Sequence, residues 1–128
     1  MPHSVSHSVH VDVARKLVDL RIGGLIGPED AAWIGEELRA AIRTLGPDVG
    51  KHVTLYDGSG IPVVPQETVE LIKNTLDNPE VRKLWARKIA FVVSTALARL
   101  QAQRLREVRP DLGIFDDRES AIAWLMEP

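Results

Sequence analysis

Three stretches of this sequence carry residues able to do more than fold. The first is Asp57-Gly58-Ser59-Gly60, a carboxylate two positions from a hydroxyl, with glycine on either side of the serine. Its composition is that of a turn, in which Asp bonds the backbone two residues on and Gly supplies unusual dihedrals. The plain reading is a turn; the functional one makes Ser59, beside Asp57 and Gly60, a switch or a partner-contact serine. The second stretch is 96–108. On a helix at 100° per residue, Leu97, Ala98, Leu100, Ala102, Leu105 and Val108 form an apolar arc into which Gln101 and Arg104 also project. An arginine there either lies at the rim with its stem along the core, or meets a carboxylate, a bound anion or a second subunit.

Arg99 and Arg106 fall on the opposite, solvated stripe. Together with Arg82, Lys83, Arg87 and Lys88 they make a locally basic region: a plain solvated face, or one suited to a phosphate-bearing ligand or an acidic partner. Arg99 and Arg104 are the candidate contacts for an anionic ligand. The third feature is Trp33, about 140° from Leu38 and so off the apolar stripe of its helix, hence partly exposed. It is either a homodimer contact, with Val63 and Gln101 as further interface candidates, or packs under the loop 61–64.

Other chemistry is missing. The histidines, His3, His7, His10 and His52, have no carboxylate at metal-site spacing, so no metal is expected. There is no nucleophile elbow, no Walker-type loop and no dinucleotide fingerprint, and Gly23-Gly24-Leu25-Ile26-Gly27 lacks the phosphate-binding spacing. No enzyme and no cofactor is expected. The chain has no cysteine, which removes disulfides and thiolate sites and suits a reducing compartment. A net charge of −2 argues against nucleic acid and anionic membranes as partners, and no run is apolar for long enough to span a bilayer. The N-terminus lacks the basic start and apolar stretch of a secretory signal, and the expected location is cytoplasmic.

The elements that must hold these residues are legible from periodicity. Residues 1–8 are Ser/His-rich and expected to fray, leaving 9–128 as one domain. Val9, Val11 and Val13, then Val18, Leu20 and Ile22, alternate with polar residues on both sides of Ala14-Arg15-Lys16, which predicts an antiparallel hairpin. Pro28 opens a helix whose inner face is Ala31, Ile34, Leu38, Ala41, Ile42 and Leu45, and Gly46-Pro47 stops it. A short strand at 53–56, a helix opened by Pro65 and broken at Asn78-Pro79, and the fully apolar strand 89–93 follow. Thr95 caps the next helix, 111–115 is the last strand, and Asp116 with Glu119 caps the final helix. The expected fold is α/β: a β-hairpin, then repeated αβ units around a mostly parallel sheet.

With that order in place the chain resembles the STAS domains, in particular the SpoIIAA-like branch, whose fold is shared with a small lipid-carrying module. The resemblance rests on Leu20-Arg21-Ile22-Gly23-Gly24 ending the hairpin, and on the strand 89–93 followed by Ala98-Arg99-Leu100-Gln101. Phe115-Asp116-Asp117 with Ala121, Ala123, Trp124 and Leu125 completes it, over 9–125. It implies a regulatory or protein-interaction module, homodimeric or bound to a protein partner. The alternative it implies is a carrier of a lipid or other small anionic ligand. In anti-sigma-factor antagonists of the family, an Asp-Ser-Ser-Gly-like turn carries a regulatory phosphoserine at a helix N-terminus, and Ser59 matches that position. A phosphate there would gain from the helix end, but Ile61-Pro62-Val63-Val64-Pro65 separates Ser59 from its helix.

Overall fold

The structure is a computed structural model describing residues 5–128. Strands β1 (Ser6–Asp12) and β2 (Leu17–Gly23) form the hairpin, followed by α1 (Pro28–Arg43), β3 (Val53–Gly60), α2 (Gln66–Asp77), a short α3 (Pro79–Arg82), β4 (Lys88–Val92), α4 (Ala96–Arg104), β5 (Gly113–Phe115) and α5 (Arg118–Met126). The strands lie side by side in sequence order as one five-stranded sheet. β1 is antiparallel to β2, and every later pair is parallel. The mostly parallel α/β fold expected from the sequence is the one observed.

That strand order fixes the layers. Each crossover from β2 to β5 moves one strand in the same direction, so right-handed connections put α1, α2 and α4 on one face. No strand follows α5, and it covers the other face. Pleat alternation sorts the side chains accordingly. Val18, Leu20, Tyr56 and Ile89 face α1 and α2, whereas Leu17, Val53, Leu55, Ala90 and Val92 pack against Ala121 and Leu125 of α5.

The local signals mostly act as read. The Asp30 side chain accepts from the Gly27 amide (3.0 Å) beside Pro28 in the first turn of α1, and Thr95 accepts from the Ala98 amide (3.0 Å) at the start of α4. At α5 the cap is one residue later than expected: Asp117, not Asp116, accepts from the Ser120 amide at 2.7 Å. The hairpin turn holds Lys16 at φ +52°, steadied by the Arg15 amide donating to Asp12 at 3.1 Å. Residues 1–4 of the stretch expected to fray lie outside the described residues. Of the rest, Ser6–Ser8 pair with Arg21–Gly23, so β1 begins before Val9. Among the described residues no helix is long and apolar enough to cross a membrane.

Candidate interaction site

The segment expected to turn at Asp57 instead continues β3. Asp57 pairs with Val92 on one side and Arg21 on the other, and Gly60 pairs with Gly23. Glycine is needed there because a Cβ on Gly60 would stand 3.1 Å from the Gly23 Cα, while the Gly24 amide donates to the Gly60 carbonyl at 3.0 Å. Strand pairing and turn chemistry overlap here: the Asp57 side chain accepts from the Ser59 amide, and the Ile61 amide donates to the Gly58 carbonyl at 2.9 Å, so the chain turns over 58–61 rather than at Asp57.

Asp57 is 5% exposed on the α5 face. Its carboxylate accepts from the Ser59 amide (3.0 Å), the Ser59 hydroxyl (2.7 Å) and Arg118 Nη1 (2.9 Å). Burial works to raise this carboxyl, but the hydrogen bonds from Arg118 and Ser59 outweigh it and hold it below the ordinary carboxylate range. Arg118, in the first turn of α5, also grips Asp19 of β2, and the two carboxylates hold its guanidinium above the ordinary value. Ser59 itself is exposed. The helix nearest in sequence begins only at Gln66, so no helix N-terminus directly follows Ser59.

The chain then runs along α4. The Gln101 side chain bonds both the amide (2.8 Å) and the carbonyl of Val64, and the Thr95 hydroxyl donates to the Pro62 carbonyl at 2.7 Å. Val63, half-buried, lies between these two tethers to α4. The buried stripe of α4 is narrower than expected: Ala98, Ala102 and the following Leu105 pack inward, whereas Leu97 and Leu100 are 50% and 61% exposed. Alanine lets the helix approach the sheet closely and turns the larger leucines outward.

Arg104 pairs with Glu70 of α2, and Arg99 with Asp116, so both candidate ligand arginines already face a carboxylate. The remaining cations are also engaged. Arg82 pairs with Asp77 and Lys83 with Glu80, while Arg87 and Lys88 donate to carbonyls at the end of α5. Trp33 is exposed but stands away from this site. It meets His7 of β1 edge-on, with ring centroids 5.0 Å apart, and His7 also pairs with Glu37.

Two features had no signal in the sequence. One is the Asp19–Arg118–Asp57 cluster, whose arginine comes from 99 and 61 positions away. The other is a cavity of about 350 Å³ between α1, α2 and the sheet, lined by Leu20, Leu38, Val69, Ile72 and Tyr56 among others. Tyr56 stacks on Phe91 with centroids 4.6 Å apart, and burial pushes its phenol up to about 12 against the pull of Arg109 and Arg39.

No family model matches this sequence, and no curated protein matches it. Solved structures do. An anti-sigma factor antagonist from Mycobacterium paratuberculosis superposes with a TM-score of 0.62 at 13% identity, covering 99% of this chain and 98% of that one. A protein of the DUF3478 family from Shewanella loihica PV-4, described as having a SpoIIAA-like fold, superposes with a TM-score of 0.65 at 14% identity, covering 98% and 96%. Both likenesses span the hairpin, the parallel strands and the terminal helix alike, so the domain has the STAS-type, SpoIIAA-like fold.

Proposed function

We propose that this chain is a non-catalytic regulatory module that works by binding another protein or a second copy of itself. The contact surface in this reading is the outer side of α4 with the segment 61–65. The observation that carries it is the pair Leu97 and Leu100, one helical turn apart and both at least half exposed, on a helix fastened to that segment by Gln101 and Thr95. Exposed leucines next to an ordered loop are the kind of apolar surface a partner covers. A structural neighbour named as an anti-sigma factor antagonist supports the same reading, since an antagonist of a protein factor acts by contact. In this account Ser59 is a modulator at the edge of the surface, and Trp33 a separate apolar contact on α1. The location proposed for such a module is the cytoplasm.

The alternative of a small anionic ligand at Arg99 or Arg104 draws no support at those side chains, each of which is already neutralised. The test is Leu97→Glu/Leu100→Glu. Sedimentation and affinity capture should show an assembly, homomeric or mixed, that the double variant loses with its thermal stability unchanged. A wild type that stays monomeric and captures nothing the variant fails to capture would sink the reading.

A further inference from the structure

The cavity on the helix-covered face of the sheet draws its wall from all three helices there. Ile34 comes from α1, Val69 and Ile72 from α2 and Ala102 from α4, over Leu20 and Phe91 of the sheet. Its volume of about 350 Å³ lies in the range of roughly 300–1,000 Å³ common for small-molecule sites. Close packing leaves few voids larger than one water, and an empty apolar space lowers stability in proportion to its volume. Water is a poor filler, because a wall of leucine, isoleucine and valine offers it no hydrogen bonds. Apolar cavities stay dry and take up apolar molecules.

The polar groups of this wall are largely committed within the protein. The Thr68 hydroxyl donates to the Ile26 carbonyl at 2.8 Å, and the Gln101 side chain serves both backbone groups of Val64. Two lining residues carry charge, Glu36 and Arg39, and they pair with each other at 2.9 Å. Arg39 folds back along α1, its Nη1 3.1 Å from where a Cβ on Gly35 would stand, while Glu36 reaches solvent. Tyr56 adds no charge, because burial keeps its hydroxyl protonated. Trp85 brings a buried, unpartnered indole N–H, which is also neutral. An ion entering such a wall would lose its hydration and find no free counter-charge. An uncharged, apolar molecule would lose nothing.

We propose that the cavity binds an uncharged, mostly hydrocarbon molecule of the size of a medium-chain alcohol. The site reaches the inner side of α4 through Ala98 and Ala102, but Leu97 and Leu100 are not part of its wall. It therefore does not rest on the partner surface proposed for the outer side of that helix.

The experiment is calorimetric titration of the whole chain with decanol and with decanoate at about pH 8, where the acid is ionised. Decanol should bind once per chain, at least about tenfold more tightly than decanoate, and should raise the melting temperature as its concentration rises. Val69→Phe, which sets a ring into the cavity, should weaken decanol at least about tenfold. Should that variant fail to fold, Ala102→Leu narrows the same wall and should weaken decanol severalfold. Leu97→Glu/Leu100→Glu should leave decanol binding unchanged. No binding of decanol by the wild type overturns the proposal, as does decanoate bound equally well. Decanol bound undiminished by a folded filling variant, or lost in the double leucine variant, overturns it too, because the molecule would then sit on the surface.

Discussion

The guanidinium of Arg118 holds the Asp19 carboxylate with two parallel hydrogen bonds, Nη1 to Oδ1 at 3.2 Å and Nη2 to Oδ2 at 2.7 Å. Nη1 also reaches Asp57 at 2.9 Å, so one side chain of the last helix ties β2 to β3. Both carboxylates are nearly buried, at 9% and 5% exposure, which makes the shared cation indispensable. Arg118→Met should therefore destabilise the fold by about 2–4 kcal/mol, somewhat below a fully buried pair because the arginine is partly solvated. Urea denaturation measures it; a loss under about 1 kcal/mol would mean the carboxylates find other partners.

Ser59 offers a second handle on the same cluster. Ser59→Ala removes one hydrogen bond to Asp57 and should cost about 0.5–1 kcal/mol. Ser59→Asp sets a carboxylate where the hydroxyl now donates at 2.7 Å, competing with Asp57 for Arg118. It should cost more than Ser59→Ala, by about 1 kcal/mol near neutral pH, and the difference should shrink in acid as Asp57 protonates. Equal stabilities of the two variants at neutral pH would show that a charge at this position is not felt by the cluster.

A packing prediction concerns Gly113. A Cβ there would lie 2.7 Å from a Phe115 ring carbon and 3.0 Å from a ring carbon of Trp124, so these two rings occupy the space a side chain would need. Gly113→Ala should lower stability by about 1–3 kcal/mol through overpacking. Phe115→Leu in the same chain should recover part of the loss; no recovery would place the clash elsewhere.

These residues also mark how far the sequence could be read. Period-2 alternation and the Pro28 and Thr95 helix starts are local, and they produced the right element order and a mostly parallel sheet. Asp19 reads as one more polar residue of an alternating strand, because its partner comes from the final helix and leaves no local trace. The expected cap at Asp116 moved to Asp117 where two aspartates stand side by side, the first being drawn to Arg99. At α4 the arc drawn through Leu97 and Leu100 is rotated from the real one, since small residues can seat a helix more closely than leucine. The apolar cavity under α1 and α2 is a property of volume between layers, which no spacing encodes.

His52 gives the chain a pH dependence of its own. It is fully buried, and burial, aided by Arg109, lowers its affinity for a proton below the ordinary value of 6.5 despite the opposing backbone contact near Asp48. The unfolded chain therefore binds the proton first as pH falls. Stability from this group is complete above about 6.5 and is lost as pH drops below that toward the folded value. The midpoint of urea denaturation should fall between pH 7.5 and about pH 5.5, and His52→Asn, which keeps an acceptor near Nδ1, should flatten that slope. An unchanged slope in the variant would assign the dependence to another group.

The interaction face on α4 is the central claim, and site-specific photocrosslinking in the cell of origin tests it most directly. A photoreactive residue at Leu97 or at Leu100 should give a discrete adduct, with a second copy of the chain or with one other protein. The same residue at Arg15, in the hairpin turn, should give none. No adduct from either leucine, or the same products from all three positions, would contradict a binding surface on α4.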